Sequence, residues 1–254
     1  GGVADYLIEN QIEGELIKIG GDDQDPIFEK ANVIHRRDAK SCGEKLNSLS
    51  LCIGGTSWFF CNSSLTEKAG VHKFDYLFID EAGQVSLANL VGMSRVTKNL
   101  VLIGDQMQLG QPSQGSHPDE SGNSILDYLL QDKATISPDM GIFLPKTFRM
   151  HPDLCAVVSK QVYDGRLFSA DTTKNHVIDI PSDILPVKCG IHFLPVIHDG
   201  NTQGSEEEVV IIKDLAQKLI NIPYWPKDQG DSQKLIGWSD ILFVAPYNYQ
   251  VNLL

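Results

Sequence analysis

Short apolar runs recur along the chain, each broken by a glycine, an acid or a polar cluster. Residues 16–19, 51–53, 76–79, 100–103, 191–194 and 241–245 have the length and the β-branched or aromatic content of strands. Several are almost continuous in apolar residues, which predicts strands covered on both faces of a sheet. Between them the apolar positions take a helical spacing. The stretch S-I-L-D from Ser124 offers an N-cap with an acid three residues on. A second helix is predicted after Pro152, with Leu154, Val157, Val158 and Val162 on one side. A third follows Ser205, with Val209, Ile212, Leu215 and Leu219 as its apolar stripe.

Strands alternating with helices predict an α/β architecture of parallel sheets flanked by helices. Two stretches fit neither period. Residues 110–124, GQPSQGSHPDESGNS, form a long polar loop of a kind that often carries function in α/β domains, and residues 164–190 are mixed and proline-punctuated. A break at Leu144 and Pro145 divides the chain into one α/β unit, 1–144, and the start of a second, 145–254. There is no internal repeat and no low-complexity tract.

Composition narrows the class. A chain of 254 residues holds one large domain or two modest ones, and 42% hydrophobic with 21% charged residues is ordinary for a globular protein. No apolar run approaches the ~18 residues of a membrane span, and GGVADYLIEN lacks the basic start and apolar core of a signal peptide. Cys42, Cys52, Cys61, Cys155 and Cys189 are scattered and include no C-x-x-C pair. They read as reduced thiols of a cytoplasmic protein, not as a disulfide frame or zinc site. A net charge of −12 weighs against nucleic acid, and the best basic cluster, His35-Arg36-Arg37, reads as a solvated loop. A local groove can still hold a strand through backbone amides and stacking.

Three stretches carry chemistry. FDYLFIDEAGQ (74–84) is an apolar strand that delivers Asp80 and Glu81 to the sheet's carboxyl edge, where ligands bind in α/β folds. Asp80 would hold a Mg²⁺-bound water and Glu81 would polarise the attacking water; the alternative is a strand that simply ends in solvent. NLVLIGDQMQLGQPSQG (99–115) breaks at Gly104-Asp105 and exposes Gln106 and Gln108. A neutral glutamine can donate to a γ-phosphate and accept from water at once, or it can belong to an unliganded polar loop. In LPKTFRMHPDLCAVV (144–158) Arg149 stands just before a helix that opens at His151-Pro152. Its guanidinium either reaches a phosphate on the neighbouring unit or pairs with one of the 33 acids.

Taken in order, DEAGQ, GDQMQLGQP and TFRMHP resemble motifs II, III and IV of superfamily 1 helicases, most of all superfamily 1B, the group of the nonsense-mediated-decay helicases. CIGGTSWFF (52–60) resembles the Gly-Gly-Thr segment that touches the nucleic-acid strand, and VAPYNYQVNLL (244–254) the Pro-Tyr-x-x-Gln segment of the second motor domain. The wording of DEAGQVSLANLVG, GDQMQLGQPSQGSHP and LPKTFRMHPDLC is nearer still to bacterial RecB-like nuclease–helicase fusion proteins, and the resemblance covers residues 50–254.

The resemblance implies two RecA-like units that hydrolyse ATP with Mg²⁺ between them and move along single-stranded nucleic acid, DNA rather than RNA. It allows a nuclease domain in the same parent chain and no membrane partner. Carried over by position, Asp80 is the magnesium ligand, Glu81 the catalytic acid, Gln108 the γ-phosphate sensor and Arg149 a phosphate-contacting arginine. Gln84 falls in motif II as a coupling residue, Thr56 contacts the strand, and Pro246, Tyr247 and Gln250 lie near the strand or the interdomain cleft. Trp58 and Phe59 are either a stacking face or core aromatics.

The departures matter as much. The family needs a phosphate loop with a lysine, and no G-K-[ST] occurs in this sequence. GGVADYLIE resembles the tail of the following motif, where relatives read A-V-D-x-L, so the chain is expected to begin just downstream of that loop. It is expected to stop inside the second unit, before the Q-G-x-E and last arginine motifs, and it carries no nuclease signature. The isolated chain is therefore expected to be inactive. The alternative is a non-catalytic helicase-like module that binds nucleic acid or protein.

Overall fold

Strand β1 (Glu15–Ile19) lies between β2 (Val33–Arg36) and β3 (Leu51–Gly54), and all three run parallel. The computed structural model describes residues 6, 9–10, 14–24, 28, 33–42, 46, 51–70, 73–110, 115, 118–131, 133–186, 188–226 and 232–254. They form two compact units, 1–133 and 134–254.

In the first unit Ile17 and Ile19 of β1 alternate into the core, as a period of two requires. Helices α1 (Ala39–Cys42), α2 (Ser57–Cys61) and α3 (Ser63–Ala69) follow, α3 being opened by Asn62, whose side chain accepts from the Ser64 amide at 2.9 Å. Strand β4 (Leu77–Ile79), helix α4 (Leu87–Met93), strand β5 (Leu100–Leu102) and helix α5 (Ile125–Leu130) complete it. β4 and β5 pair in parallel, Leu77 opposite Leu100. The predicted cap of α5 is present: Ser124 accepts from the Asp127 amide at 3.0 Å and donates to the Asp127 carboxylate at 2.7 Å.

Two expectations for this unit are corrected. His35-Arg36-Arg37 is not a loop: His35 and Arg36 lie in β2, and only Arg37 stands at its exposed end. Val33 enters the core and the His35 ring meets Phe28 edge-on at 5.0 Å, which offsets a polar composition that hides the strand. Nor are all apolar strands covered on both faces. Leu77 and Ile79 are buried, but Phe78 is 65% exposed and Tyr76 lies beside it on the open face. Each strand end matches the expected run to within a residue.

In the second unit β6 (Lys146–Thr147) precedes helix α6 (Pro152–Val162) and pairs in parallel with β7 (Phe168–Ser169). Helix α7 (Glu206–Leu219), the antiparallel pair β8 (Pro223–Tyr224) and β9 (Lys234–Leu235), and helix α8 (Asn248–Leu253) follow. Ile180, Ile222 and Ile236 form a core cluster against which Leu219, Ile220 and Ile241 pack. Burying each of those three isoleucines contributes about 1.5–3 kcal/mol. α7 buries Val209 as expected, together with Ala216. α6 differs: its buried residues are Cys155 and Ser159, and Val157 is exposed.

Residues 191–194 and 241–245, expected as strands, pair with nothing as strands among the described residues. Ile191, Phe193, Leu242 and Val244 are exposed there. Strand-like composition expresses fitness for a pleated, half-buried surface, and it does not supply the ladder partner.

Candidate functional site at the carboxyl edge of β4 and β5

Where β4 ends, the chain turns sharply. Glu81 takes the left-handed conformation (φ 52°, ψ 43°) before a short 3-10 turn over Ala82–Gln84. A non-glycine residue there costs about 1–3 kcal/mol and persists only where its surroundings hold it. The Asp80 carboxylate accepts from the Glu81 amide at 3.0 Å. The ladder then continues past the strand ends: Ile103 donates to the Ile79 carbonyl at 2.8 Å and Ala82 to the Ile103 carbonyl at 2.9 Å.

Two glycines allow this lacing. A Cβ on Gly83 would sit 2.5 Å from the Asp105 carbonyl oxygen, and one on Gly104 would sit 2.7 Å from the Ala82 nitrogen. The D-E-A-G and G-D-Q loops therefore interlock backbone to backbone. Asp105 organises the second loop, accepting from the Met107 amide at 3.0 Å and from the Gln108 side chain at 3.1 Å. Gln106 instead donates to the Lys133 carbonyl at 2.9 Å. Asp80, Glu81, Gln84 and Gln108 are all exposed on these two loops, so the structure brings the four to one edge.

Thr56 and Trp58 lie elsewhere in the first unit, after β3. Thr56 is exposed at the start of α2 and its hydroxyl makes no capping bond. The two aromatics that follow divide: Phe59 is in the core, edge-on to Phe60 at 4.9 Å, and Trp58 is 77% exposed.

In the second unit Arg149 is exposed between β6 and α6. Its amide donates to the Thr147 hydroxyl at 3.2 Å, and the Ser169 hydroxyl donates to the Met150 carbonyl at 2.8 Å. His151 caps α6 by accepting from the Asp153 amide at 3.2 Å. Pro246 and Tyr247 are exposed at the entry to α8. Gln250 is buried, and its side-chain oxygen accepts from the Ser205 amide at 2.7 Å. Beside it, the Glu207 carboxyl is held below the ordinary carboxylate range by its own backbone amide and then by Asn201 and Ser205.

Sequence reasoning missed Asp105 as the residue that orients Gln108, and it missed Gly83 and Gly104 as the reason the loops can approach. The signal was present in a glycine and an acid within four residues after each of two apolar strands.

Among the described residues no three metal-capable side chains gather. The exposed Asp80 carboxylate fits an ion such as Mg²⁺, which keeps waters and phosphate oxygens and takes only one or two carboxylates from the protein.

Parallel sheets flanked by helices, with acids and glutamines collected at one carboxyl edge, place the chain in the RecA-like class of α/β proteins. The chain belongs to the AAA domain family, whose model matches residues 122–254, and a second AAA domain model matches residues 29–111. It is similar to superfamily 1 helicases. "Probable helicase MAGATAMA 3" of Arabidopsis thaliana is 29% identical over 208 residues, 76% of this chain and 23% of the relative. "DNA replication ATP-dependent helicase/nuclease dna2" of Schizosaccharomyces pombe is 33% identical over 102 residues, 40% of this chain and 7% of the relative. "DNA replication ATP-dependent helicase/nuclease JHS1" of Arabidopsis thaliana is 24% identical over 277 residues, 99% of this chain and 19% of the relative. The chain thus spans less than a quarter of each of these relatives. Among the described residues no helix is long and apolar enough to cross a membrane.

Proposed function

We propose that these residues are part of an ATP-driven superfamily 1B helicase or translocase, with single-stranded DNA in preference to RNA as its track. Residues 1–144 belong to one RecA-like motor unit and 145–254 to part of a second. The observation that carries the reading is the interlocked pair of loops that presents Asp80, Glu81 and Gln108 together. A scaffold has no physical need for that set.

Asp80 would hold Mg²⁺, whose chemistry is to neutralise charge on the transferring phosphate. Glu81, fixed by its backbone conformation, orients and deprotonates the attacking water. Gln108, held by Asp105, senses the terminal phosphate through its amide, and Gln84 couples this loop to the strand. Arg149 supplies a guanidinium to the phosphates. Thr56, Pro246 and Tyr247 contact the strand. The wording of the three motifs favours a bacterial RecB-like parent, and relatives named helicase/nuclease support a nuclease domain in the same parent chain. Five scattered cysteines without a C-x-x-C pair support a reducing, cytoplasmic setting.

The sequence holds no phosphate loop, so the isolated chain is proposed to be inactive. In a parent chain that carries such a loop, Glu81→Gln is expected to keep nucleotide affinity and to cut turnover by about 10²–10⁴. Unchanged turnover would remove Glu81 from the catalytic role. Strand-stimulated hydrolysis by the 254-residue chain alone would overturn the proposed inactivity.

A further inference from the structure

Gln250 stands in the Pro-Tyr-x-x-Gln segment, yet it is only 6% exposed. Its oxygen accepts from the Ser205 amide at 2.7 Å, and its nitrogen donates to the Ser205 carbonyl at 3.3 Å and to the Glu208 carboxylate at 3.4 Å. The side chain therefore reads both backbone groups of Ser205, as a neighbouring strand would. Ser205 is itself the N-cap of α7, accepting from the Glu208 amide at 3.2 Å and donating to the Glu207 carboxylate at 2.9 Å. Two further contacts fix α8 on α7. A Cβ on Gly204 would lie 2.6 Å from the Tyr249 ring and 3.1 Å from the Gln250 oxygen, so the approach there is closed. At the far end Lys213 donates to the Leu253 carbonyl at 2.9 Å.

These contacts decide where α8 points. For Gln250 to reach a strand it would have to leave the Ser205 amide buried without a partner, which is unfavourable. Tyr247, three residues earlier, is 49% exposed at the helix entry and faces no such constraint.

We infer that Gln250 is a positioning residue that locks α8 onto the N-terminus of α7 and thereby sets Tyr247 for contact with a single-stranded nucleic acid. This rests on the strand-binding reading above. Gly204 belongs to the same lock, because only a residue without a side chain lets Tyr249 and Gln250 close on Ser205.

The test is a double-mutant cycle in the full chain, with anisotropy of a fluorescein-labelled oligothymidine as the readout. Tyr247→Ala is expected to weaken binding about tenfold, the loss of one stacked base. Gln250→Ala is expected to weaken it by a similar factor, and the double variant no further, because both act through one contact. Gly204→Ala removes no polar group. It is expected to reproduce the loss, and it keeps the test open if Gln250→Ala does not fold. Undiminished binding by Gly204→Ala and Gln250→Ala beside a weakened Tyr247→Ala overturns the positioning role and leaves the strand reading standing. Additive losses in the double variant also overturn it, since Gln250 would then contact the strand directly. No binding by the unaltered chain, or no effect of Tyr247→Ala, overturns the strand reading and this inference with it.

Discussion

A Cβ on Gly83 would lie 2.5 Å from the carbonyl oxygen of Asp105, closer than any side chain can stand to a backbone atom. The obstacle is main chain and cannot rotate away. Gly83→Ala is therefore expected to force the two loops apart and to destabilise the first unit by about 1–3 kcal/mol. Urea unfolding should show a lower midpoint at similar slope. A midpoint equal to that of the unaltered chain would mean that the loops do not interlock in solution.

Glu81 occupies a left-handed conformation that glycine adopts freely and β-branched residues avoid. Glu81→Gly is expected to unfold at a urea concentration no lower than the parent's, because relief of the strain offsets the glycine's added freedom in the unfolded chain. Glu81→Val is expected to lose about 1–2 kcal/mol against the glycine variant. The order of the two midpoints is the measurement, and valine matching glycine would contradict the turn.

Adjacent Trp58 and Phe59 face opposite ways. Phe59→Ala should cost about 3–5 kcal/mol through the cavity it leaves. Trp58→Ala should change stability by less than about 0.5 kcal/mol and weaken binding of a labelled single strand. Thermal melts with a strand titration separate the two, and equal losses of stability would contradict their assignment.

Asp240 accepts from the Gly237 amide at 2.8 Å and from the Tyr224 hydroxyl at 2.9 Å. The amide first and the hydroxyl second hold its carboxyl below the ordinary carboxylate value, and Asp240 in turn raises the Tyr224 phenol. A lowered folded value stabilises above the unfolded value, about 3.9, and that stabilisation disappears as pH falls through the folded value. The raised phenol stabilises below about 10 and its contribution is lost as pH rises through the folded value. Asp240→Asn is expected to flatten the acid limb in melts recorded across pH 2–6. An unchanged acid limb would assign the dependence to other carboxylates.

Much of the fold was legible where local chemistry decides it. Ser124 and Ser205 cap their helices because a hydroxyl before an apolar stripe satisfies free amides wherever the helix then packs. That Asp80, Glu81 and Gln108 would stand just beyond two strand ends was equally legible, since apolar runs ending in polar residues mark a sheet edge. What depended on partners was hidden. Residues 191–194 and 241–245 have strand composition, but pairing is a property of two segments. Gln250 reads like any polar residue near a helix start, and its burial depends on Ser205, forty-five positions away. Trp58 and Phe59 are indistinguishable as letters; the turn of α2 alone sends one inward and the other out.

Arg149 stands on a fulcrum. The Thr147 hydroxyl grips its amide, and the Ser169 hydroxyl grips the next carbonyl, so the two-stranded pair of β6 and β7 clamps the main chain on both sides. Only the side chain is free to swing. Meeting an anion then costs about 2 kcal/mol of rotor freedom at most, with no loop to freeze. The main chain beside it is held to β6 by one hydroxyl and to β7 by another, so the two short strands share the load of keeping it in place.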